Sequence, residues 1–245
     1  MIKEIEKIEE ISGVFSPLIP RIFSAYRYKS GGDNAWKQIT EDGKITTLIS
    51  SVDGNFTLIA TKQTDFEELK EFIGFMGCSS ILSNVPVTSS PKNQYSLFKF
   101  CGEETKESDF DFWSLDSIST VTQYREFYSL LFSDLQIDFD NWYCDFSKRI
   151  VNGDAVAVAL TQSEKLVSVA TTPMIYENKA IISGVFTLND FRNKGYSKAT
   201  IYKLIEKLKE VNVKEIYLWC EKELEEFYCK LGFIKTGNVY LETEL

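Results

Sequence analysis

The feature that most constrains the fold of this chain is an apolar strand that runs through a short cationic loop into an amphipathic helix. Residues 179–186 predict the strand, and residues 196–211 predict a helix with one apolar face, formed by Ile201, Leu204, Ile205 and Leu208. The loop contains Arg192, Lys194 and Gly195. Backbone N–H groups at a helix start have no partner inside the helix, and the helix dipole adds about half a positive charge there. The segment therefore predicts a phosphate site, although a plain turn with surface cations would show the same residues.

The surrounding segments predict an α/β fold. In order, they are a strand at 111–115, helices at 119–133 and 138–150, strands at 154–161 and 165–172, the strand and helix just described, a strand at 213–220, a short helix at 222–231 and a strand at 234–243. Strands and helices in this order predict a mixed, mostly antiparallel sheet flanked by helices.

The first half of the chain predicts a second, smaller α/β domain. Its elements are a hairpin of two β-branched runs at 44–51 and 55–61, a helix at 65–76 that begins with a capping box at Thr64–Glu67, and a strand at 79–83. Three interpretations of this half stay open. Its hairpin, helix and strand order favours a degenerate copy of the fold of the second half, but a lid over an acceptor pocket or an interaction module would also fit.

A polar, charged segment at 102–109 predicts a linker between the two halves. The predicted domains are therefore residues 1–105 and residues 109–245.

The composition excludes several kinds of site. The chain has no histidine, so Ser-His and Cys-His nucleophiles are excluded, and a general base has to be a carboxylate, a water or a tuned Lys, Tyr or Cys. Its five cysteines show no Cys-x-x-Cys spacing, which predicts reduced, mostly buried thiols and no metal site. A net charge of −9 argues against nucleic acid as a partner. Without a long apolar run or a signal-peptide pattern, the sequence predicts no membrane partner and a cytoplasmic location.

The cationic loop and the C-terminal segment together resemble the GCN5-related N-acetyltransferase (GNAT) superfamily. The acetyl-CoA signature of that family, Gln/Arg-x-x-Gly-x-Gly/Ala, is matched by Arg192-Asn193-Lys194-Gly195-Tyr196-Ser197. Gly184–Thr187 is similar to the fourth strand of the family, and Phe227–Phe233 is similar to its Tyr-x-x-Leu-Gly-Phe segment. About residues 109–245 follow the family's order of elements. The chain departs from the family at Ser197, where Gly or Ala is usual, and at Glu221–Leu224, where many members have an Asn that contacts the cofactor.

The resemblance implies an N-acetyltransferase that moves the acetyl group of acetyl-CoA, its cosubstrate, to a primary amine. In the family, the pantetheine arm lies between two parallel strands that separate, here 179–188 and 213–220. Backbone groups of Val185, Phe186 and Thr187 would hold the arm, and the six signature residues would hold the diphosphate. The amine would attack directly in a ternary complex.

Tyr228 would protonate the departing thiolate, again by resemblance, although its place on the apolar face of a short helix also fits a core aromatic. The general base is not identified, because Glu221, Glu223 and Glu225 also fit a charged surface. The main alternative function is a non-catalytic acyl-CoA-binding module with a sensory or regulatory role, and a structural interaction protein is a third. The sequence does not name the amine, and it leaves a homodimer open.

Overall fold

The computed structural model of the chain describes residues 1–12, 14, 16–29, 34–88, 93–103, 110–132 and 138–243. The strands are β1 (Ile2–Glu4), β2 (Asn34–Ile39), β3 (Ile45–Val52), β4 (Asn55–Ala60), β5 (Ser80–Ser83), β6 (Asn93–Phe100), β7 (Asp111–Leu115), β8 (Val156–Gln162), β9 (Lys165–Tyr176), β10 (Lys179–Thr187), β11 (Glu215–Cys220) and β12 (Phe233–Glu242). The helices are α1 (Ile19–Arg27), α2 (Phe66–Met76), α3 (Val121–Leu131), α4 (Phe139–Val151), α5 (Tyr196–Glu210) and α6 (Glu225–Lys230).

Contacts between residues divide the chain into two units. Unit 1 consists of the described residues in Met1–Phe98, Trp219–Lys230 and Ile234–Leu245. Unit 2 consists of those in Lys99–Leu218 and Leu231–Phe233. The predicted linker lies mostly outside the described residues, as do the predicted domain limits at 105 and 109, so those limits stay a prediction.

The sheet of unit 2 has the strand order β11-β10-β9-β8-β7. Neighbouring strands are antiparallel except for β10 and β11, which are parallel. Helices α3 and α4 cover a core of aromatic and small side chains that includes Phe127, Phe146 and Val169. Tyr196 and Ala199 of α5 pack in a separate cluster with Leu160 and Val167. The predicted mixed, mostly antiparallel sheet with flanking helices is confirmed.

The sheet of unit 1 has the strand order β1-β2-β3-β4-β5-β12-β6. The predicted hairpin is present as β3 and β4, with Asp53 and Gly54 at φ 50° and 74° in its turn, and β5 lies parallel to β4. Helix α2 buries Leu69 and Ile73 against this sheet. The elements α1 and β2 of unit 1 were not predicted from the sequence. The first is a short helix with a proline in its first turn, and the second is a strand that follows residues outside the described part.

Two predictions about individual residues in the fold are wrong. The side chain that caps α2 is Asp65, which accepts hydrogen bonds from the N–H groups of Glu67 and Glu68, and not Thr64. The Thr64 hydroxyl does not cap the helix, because it makes hydrogen bonds to the Thr47 hydroxyl and to the carbonyl of Thr46 instead. The thiols are not mostly buried, since three of the five are exposed, namely Cys101, Cys144 and Cys229.

Candidate active site

Strands β10 and β11 pair along only part of their length. Their register joins Lys179, Ala180 and Ile181 to Glu215, Ile216 and Tyr217, respectively. In residues 138–243, all of which are described, β10 continues to Thr187 without further pairing to β11. The rest of β10 pairs with β9 on its other side. One edge of β10 from Ile182 to Thr187 is therefore not hydrogen-bonded to β11, which leaves backbone groups there for another extended chain.

A partly buried charge cluster lies at the paired end of the two strands. The Glu215 carboxylate lies 2.8 Å from the Lys99 ammonium and 3.5 Å from that of Lys179, and the Tyr217 hydroxyl donates to it at 2.6 Å. Burial by itself would raise the pKa of Glu215, but the hydrogen bonds and the two cations outweigh it and hold that pKa below its usual value. Burial and the bond to Glu215 raise the pKa of Tyr217 to about 12.

Two irregularities in the β9–β10 register bend β10 just after this point. They lie between Ile181 and Ser183 and between Ser183 and Phe186. Gly184, within the second of them, has φ +65°, a left-handed conformation that side chains disfavour. A Cβ atom there would lie 2.8 Å from Leu131 Cδ1 and 3.0 Å from Thr171 Oγ1. The bend therefore depends on glycine for both conformation and space.

Three hydroxyl groups tie the end of β10 to the strand beside it and to the helix that follows. Thr187 Oγ1 lies 2.7 Å from Ser168 Oγ in β9 and 2.6 Å from Ser197 Oγ in the first turn of α5. The Ser197 hydroxyl thus bonds to Thr187, and no side chain caps the helix at Gly195. Serine at the last position of the signature therefore helps to fix the start of α5 relative to β10.

The start of α5 presents an unusually long row of unbonded amides. The six consecutive backbone N–H groups from Asn193 to Lys198 have no hydrogen-bond acceptor among the residues that the structure describes. Asn193 and Gly195 have φ +60° and +85°. Left-handed residues next to a helix start turn successive N–H groups into a concave anion site. A Cβ at Gly195 would meet nothing within 4 Å, so the space in front of the turn is open.

Two cations flank these amides. Arg192 is exposed, its Nε donates to the Thr187 carbonyl at 3.1 Å, and its guanidinium lies 5.8 Å from the centre of the Phe186 ring. Lys194 is exposed and donates to the Asp190 carbonyl at 2.9 Å. The turn thus combines free amides, a helix dipole and two charges, an arrangement that suits a diphosphate.

The side chain of Tyr196 has a structural role instead. It is buried, and its hydroxyl donates to Gln162 Oε1. Of the six signature residues, Tyr196 can therefore offer a ligand only its backbone N–H.

The start of α2 in unit 1 is the counterpart of this turn, with one difference. Each unit has two antiparallel strands, then a helix, then a strand parallel to the second of the pair. In unit 1, the Asp65 carboxylate accepts from the N–H groups of Glu67 and Glu68, both at 3.1 Å. A carboxylate at this position satisfies the amides and repels an anion, so the start of α2 does not suit a phosphate.

Tyr228 lies in unit 1, where it is 8% exposed and lines a cavity of about 580 Å³. Polar groups in the lining come from distant parts of the sequence and include Arg21, Asn55, Tyr95 and Glu221. Sequence patterns missed Arg21, Asn55 and Tyr95 because nothing in their spacing links them to Tyr228, whereas Glu221 was named only as one of three carboxylates that also fit a charged surface.

Tyr228 and the neighbouring Cys220 are held in their neutral forms, whereas the nearby Glu225 is held in its charged form. Burial first, and then the neighbouring Cys220, raise the pKa of Tyr228 to about 12. Burial first, and then the charge of Glu225, raise the pKa of Cys220 to about 11, so this thiol is not a nucleophile at neutral pH. Glu225 is engaged by Ser96 and by Lys235, whose bonds lower its pKa, which makes it a weak base.

Among the described residues, no group of three or more His, Cys, Asp or Glu side chains could hold a metal ion. No helix in the described part of the chain is both long and apolar enough to cross a membrane.

Comparison with known proteins gives one family and one fold. The family model described as "Acetyltransferase (GNAT) family" matches residues 119–233. The uncharacterized N-acetyltransferase ycf52 of Pyropia yezoensis is 32% identical over 92 residues, which make up 36% of this chain and 53% of that protein. The chain thus spans about half the length of the curated relative that it matches.

Three solved structures are similar over nearly the whole chain. The acetyltransferase from the GNAT family of Colwellia psychrerythraea has a TM-score of 0.61 at 11% identity and covers 100% of both chains. The GCN5-related N-acetyltransferase of Sphaerobacter thermophilus has a TM-score of 0.61 at 11% identity, and the match covers 98% of this chain and 94% of that one. A tandem GNAT protein from the clavulanic acid biosynthesis pathway has a TM-score of 0.62 at 9% identity, and the match covers 96% of this chain and 90% of that one. Identities this low show the fold alone, but the family match is made by sequence, so residues 119–233 of this chain form a domain of the GNAT acetyltransferase family.

Proposed function

We propose that the chain is an N-acetyltransferase that uses acetyl-CoA as cosubstrate and a primary amine as acceptor. The observation that carries this proposal is the row of six unbonded N–H groups from Asn193 to Lys198 at the start of α5. Most of these residues are exposed, and the N–H groups of a helix start have no partner within the helix, so the oxygens of a diphosphate can reach them and accept from them.

Each part of acetyl-CoA has a matching feature in unit 2. The diphosphate is bound by the N–H groups of residues 193–198 and by the charges of Arg192 and Lys194. The pantetheine arm lies along the edge of β10 that is unpaired to β11, where Val185, Phe186 and Thr187 offer backbone groups. The bend at Gly184 supports this role because it separates the end of β10 from the paired register at Ile181.

The chemistry needs no covalent intermediate on the protein. A neutral amine attacks the thioester carbonyl, and a backbone N–H at the edge of β10 stabilises the oxyanion, an effect typically worth about 3–4 kcal/mol for one donor. The absence of histidine in the sequence is consistent with this direct route.

Tyr228 is the group that we propose to protonate the leaving thiolate. With a pKa of about 12, its phenol keeps its proton at neutral pH. Transfer to a thiolate whose ordinary pKa is about 8.5 is uphill by roughly 3.5 pKa units, or about 5 kcal/mol. The phenol therefore first stabilises the thiolate by donating a hydrogen bond and passes its proton on as the thiol leaves. The attacking nitrogen loses one proton to water, and water in turn restores the phenol.

We further propose that the first half is a degenerate copy of the same fold. The shared order of antiparallel strand pair, helix and parallel strand supports this origin. The Asp65 carboxylate that caps α2 is the residue that removes a phosphate site from that copy.

Two measurements on the full chain test the main proposal. Acetyl-CoA at about 100 times its Kd is expected to stabilise the protein by about 2.7 kcal/mol, seen as a rise in unfolding temperature. Release of free CoA thiol is then followed with a panel of amines. Stabilisation together with amine-dependent thiol release supports the transferase, whereas stabilisation without release under the whole panel points to the non-catalytic acyl-CoA-binding module. Without stabilisation, the proposal is refuted.

A further inference from the structure

The cavity that Tyr228 lines in unit 1 has the size of a small-molecule site. Its volume of about 580 Å³ falls within the range of about 300–1,000 Å³ that is usual for such sites. Its lining combines groups from α1, β4, β5, β6, β11, β12 and the segment that follows β11.

Most of the cavity wall is apolar or aromatic. These side chains are Phe56, Leu82, Tyr95, Trp219, Leu224 and Leu241. Burying a ligand of matching character against such a wall is favourable, at about 25 cal/mol for each Å² of apolar surface removed from water. The wall therefore suits a ligand whose body is aromatic or aliphatic.

The charged lining is limited to one group of each sign among the described residues. Glu221 supplies the carboxylate, which belongs to an exposed residue at the cavity and makes no hydrogen bond or ion pair with any described residue. Arg21 supplies the cation. Its Nε donates a hydrogen bond to Thr57 Oγ1 at 2.9 Å, and its guanidinium carbon lies 5.9 Å from the centre of the Trp219 ring. A ligand with one positive charge finds a partner at Glu221, whereas each further charge of a polycation finds no second carboxylate in the lining and adds to the repulsion from Arg21.

We propose that this cavity binds a primary amine with a single positive charge and an aromatic or aliphatic body. Glu221 binds the ammonium group, and the apolar wall holds the body. The inference rests on the proposed function only where it identifies this amine as the acetyl acceptor. It disfavours polyamines and aminoglycosides, which carry several charges.

Calorimetric titration of the full chain, without acetyl-CoA, tests the proposal with three probes. 2-Phenylethylamine has the body and one charge, 2-phenylethanol has the body without the charge, and spermidine has several charges without the body. We expect 2-phenylethylamine to bind at least tenfold more tightly than either of the others. Equal or tighter binding of spermidine or of the alcohol would overturn the proposal.

A matched pair of variants tests the role of Glu221. Glu221→Gln removes its charge and keeps its shape, and is expected to weaken 2-phenylethylamine about tenfold. Glu223→Gln makes the same change at a second exposed residue of the same segment, one that does not line the cavity, and its Kd for 2-phenylethylamine is expected to stay within twofold of the parent. An equal effect of the two variants, or no effect of Glu221→Gln, contradicts the assignment.

The outcome for this site is separable from the outcome for the proposed function. Amine binding without stabilisation by acetyl-CoA would refute the transferase and leave the amine site in place. Stabilisation by acetyl-CoA without binding of 2-phenylethylamine would refute the amine site alone.

Discussion

Replacing Arg192 by alanine tests whether the turn before α5 binds a diphosphate. The change removes a guanidinium beside the unbonded amides of residues 193–198 and leaves those amides in place. Hydrogen bonds to a charged group contribute about 1.5–3 kcal/mol, which corresponds to a factor of about 10 to 150 in Kd. Because Arg192 is exposed, solvent screens its charge, and we expect the lower end, a rise of about tenfold in the Kd of acetyl-CoA.

A control at the other end of the same helix separates this local effect from a change in overall charge. Lys207→Ala removes one positive charge from the last turn of α5, where Lys207 pairs with Glu210 at 2.8 Å. At 1.5 Å per residue, Lys207 lies about 16 Å along the helix from Tyr196, which is about twice the Debye length of about 8 Å at 0.15 M salt. The Kd of acetyl-CoA for Lys207→Ala should therefore stay within twofold of that for the parent protein.

Isothermal titration with acetyl-CoA at two salt concentrations is the assay for both variants. The difference between Arg192→Ala and the parent should shrink at the higher salt, because screening weakens the interaction that the variant lacks. A Kd within twofold of the parent for Arg192→Ala, or an equal loss for Lys207→Ala, would show that the diphosphate does not bind at this turn.

Three further substitutions have expected outcomes. Tyr228→Phe should lower kcat about 100-fold at every pH from 6 to 9, since the parent phenol is protonated throughout that range. The Kd of acetyl-CoA should stay within twofold of the parent, and an unchanged kcat would contradict the proposed acid role. Gly184→Ala should reduce the free energy of unfolding by about 2–4 kcal/mol in urea titrations, because it adds a clash with Leu131 to the cost of a positive φ. The control Gly153→Ala has φ +74° but no atom within 4 Å of the new Cβ, so it should cost only about 1–2 kcal/mol, and equal costs would contradict the clash. Glu242→Gln should reduce the free energy of unfolding by about 1–3 kcal/mol, because the buried carboxylate accepts from the N–H groups of Val87 and Thr88 and an amide replaces one acceptor by a donor. A reduction no larger than that of the control Glu71→Gln, at an exposed residue, would contradict this role of Glu242.

The order of elements from β7 to β12 was predictable from the sequence because each element carries its own period. The stripe of Ile201, Leu204, Ile205 and Leu208 repeats at helical spacing, and all four residues are buried in α5. The cationic turn before α5 was predictable for the same reason, since the free N–H groups of a helix start follow from where the helix begins. Local rules of this kind need no knowledge of what packs against the segment.

Other features were decided by contacts between residues far apart in the sequence. Both Thr64 and Asp65 can cap a helix, and the choice of Asp65 depends on Thr47, 17 residues from Thr64, which bonds to the Thr64 hydroxyl. The assignment of Trp219–Lys230 to unit 1 is likewise set by contacts with the N-terminal half and not by chain order.

The sequence by itself determined that a strand, a glycine-containing cationic turn and an amphipathic helix follow one another, because periodicity and helix ends are properties of neighbouring residues. Only the tertiary structure decided that β10 parts from β11 after Ile181, that Asp65 closes the equivalent helix start in unit 1, and that Glu221 shares a cavity with Arg21. Those outcomes depend on which distant side chains compete for the same space and the same hydrogen bonds, and no local pattern records that competition.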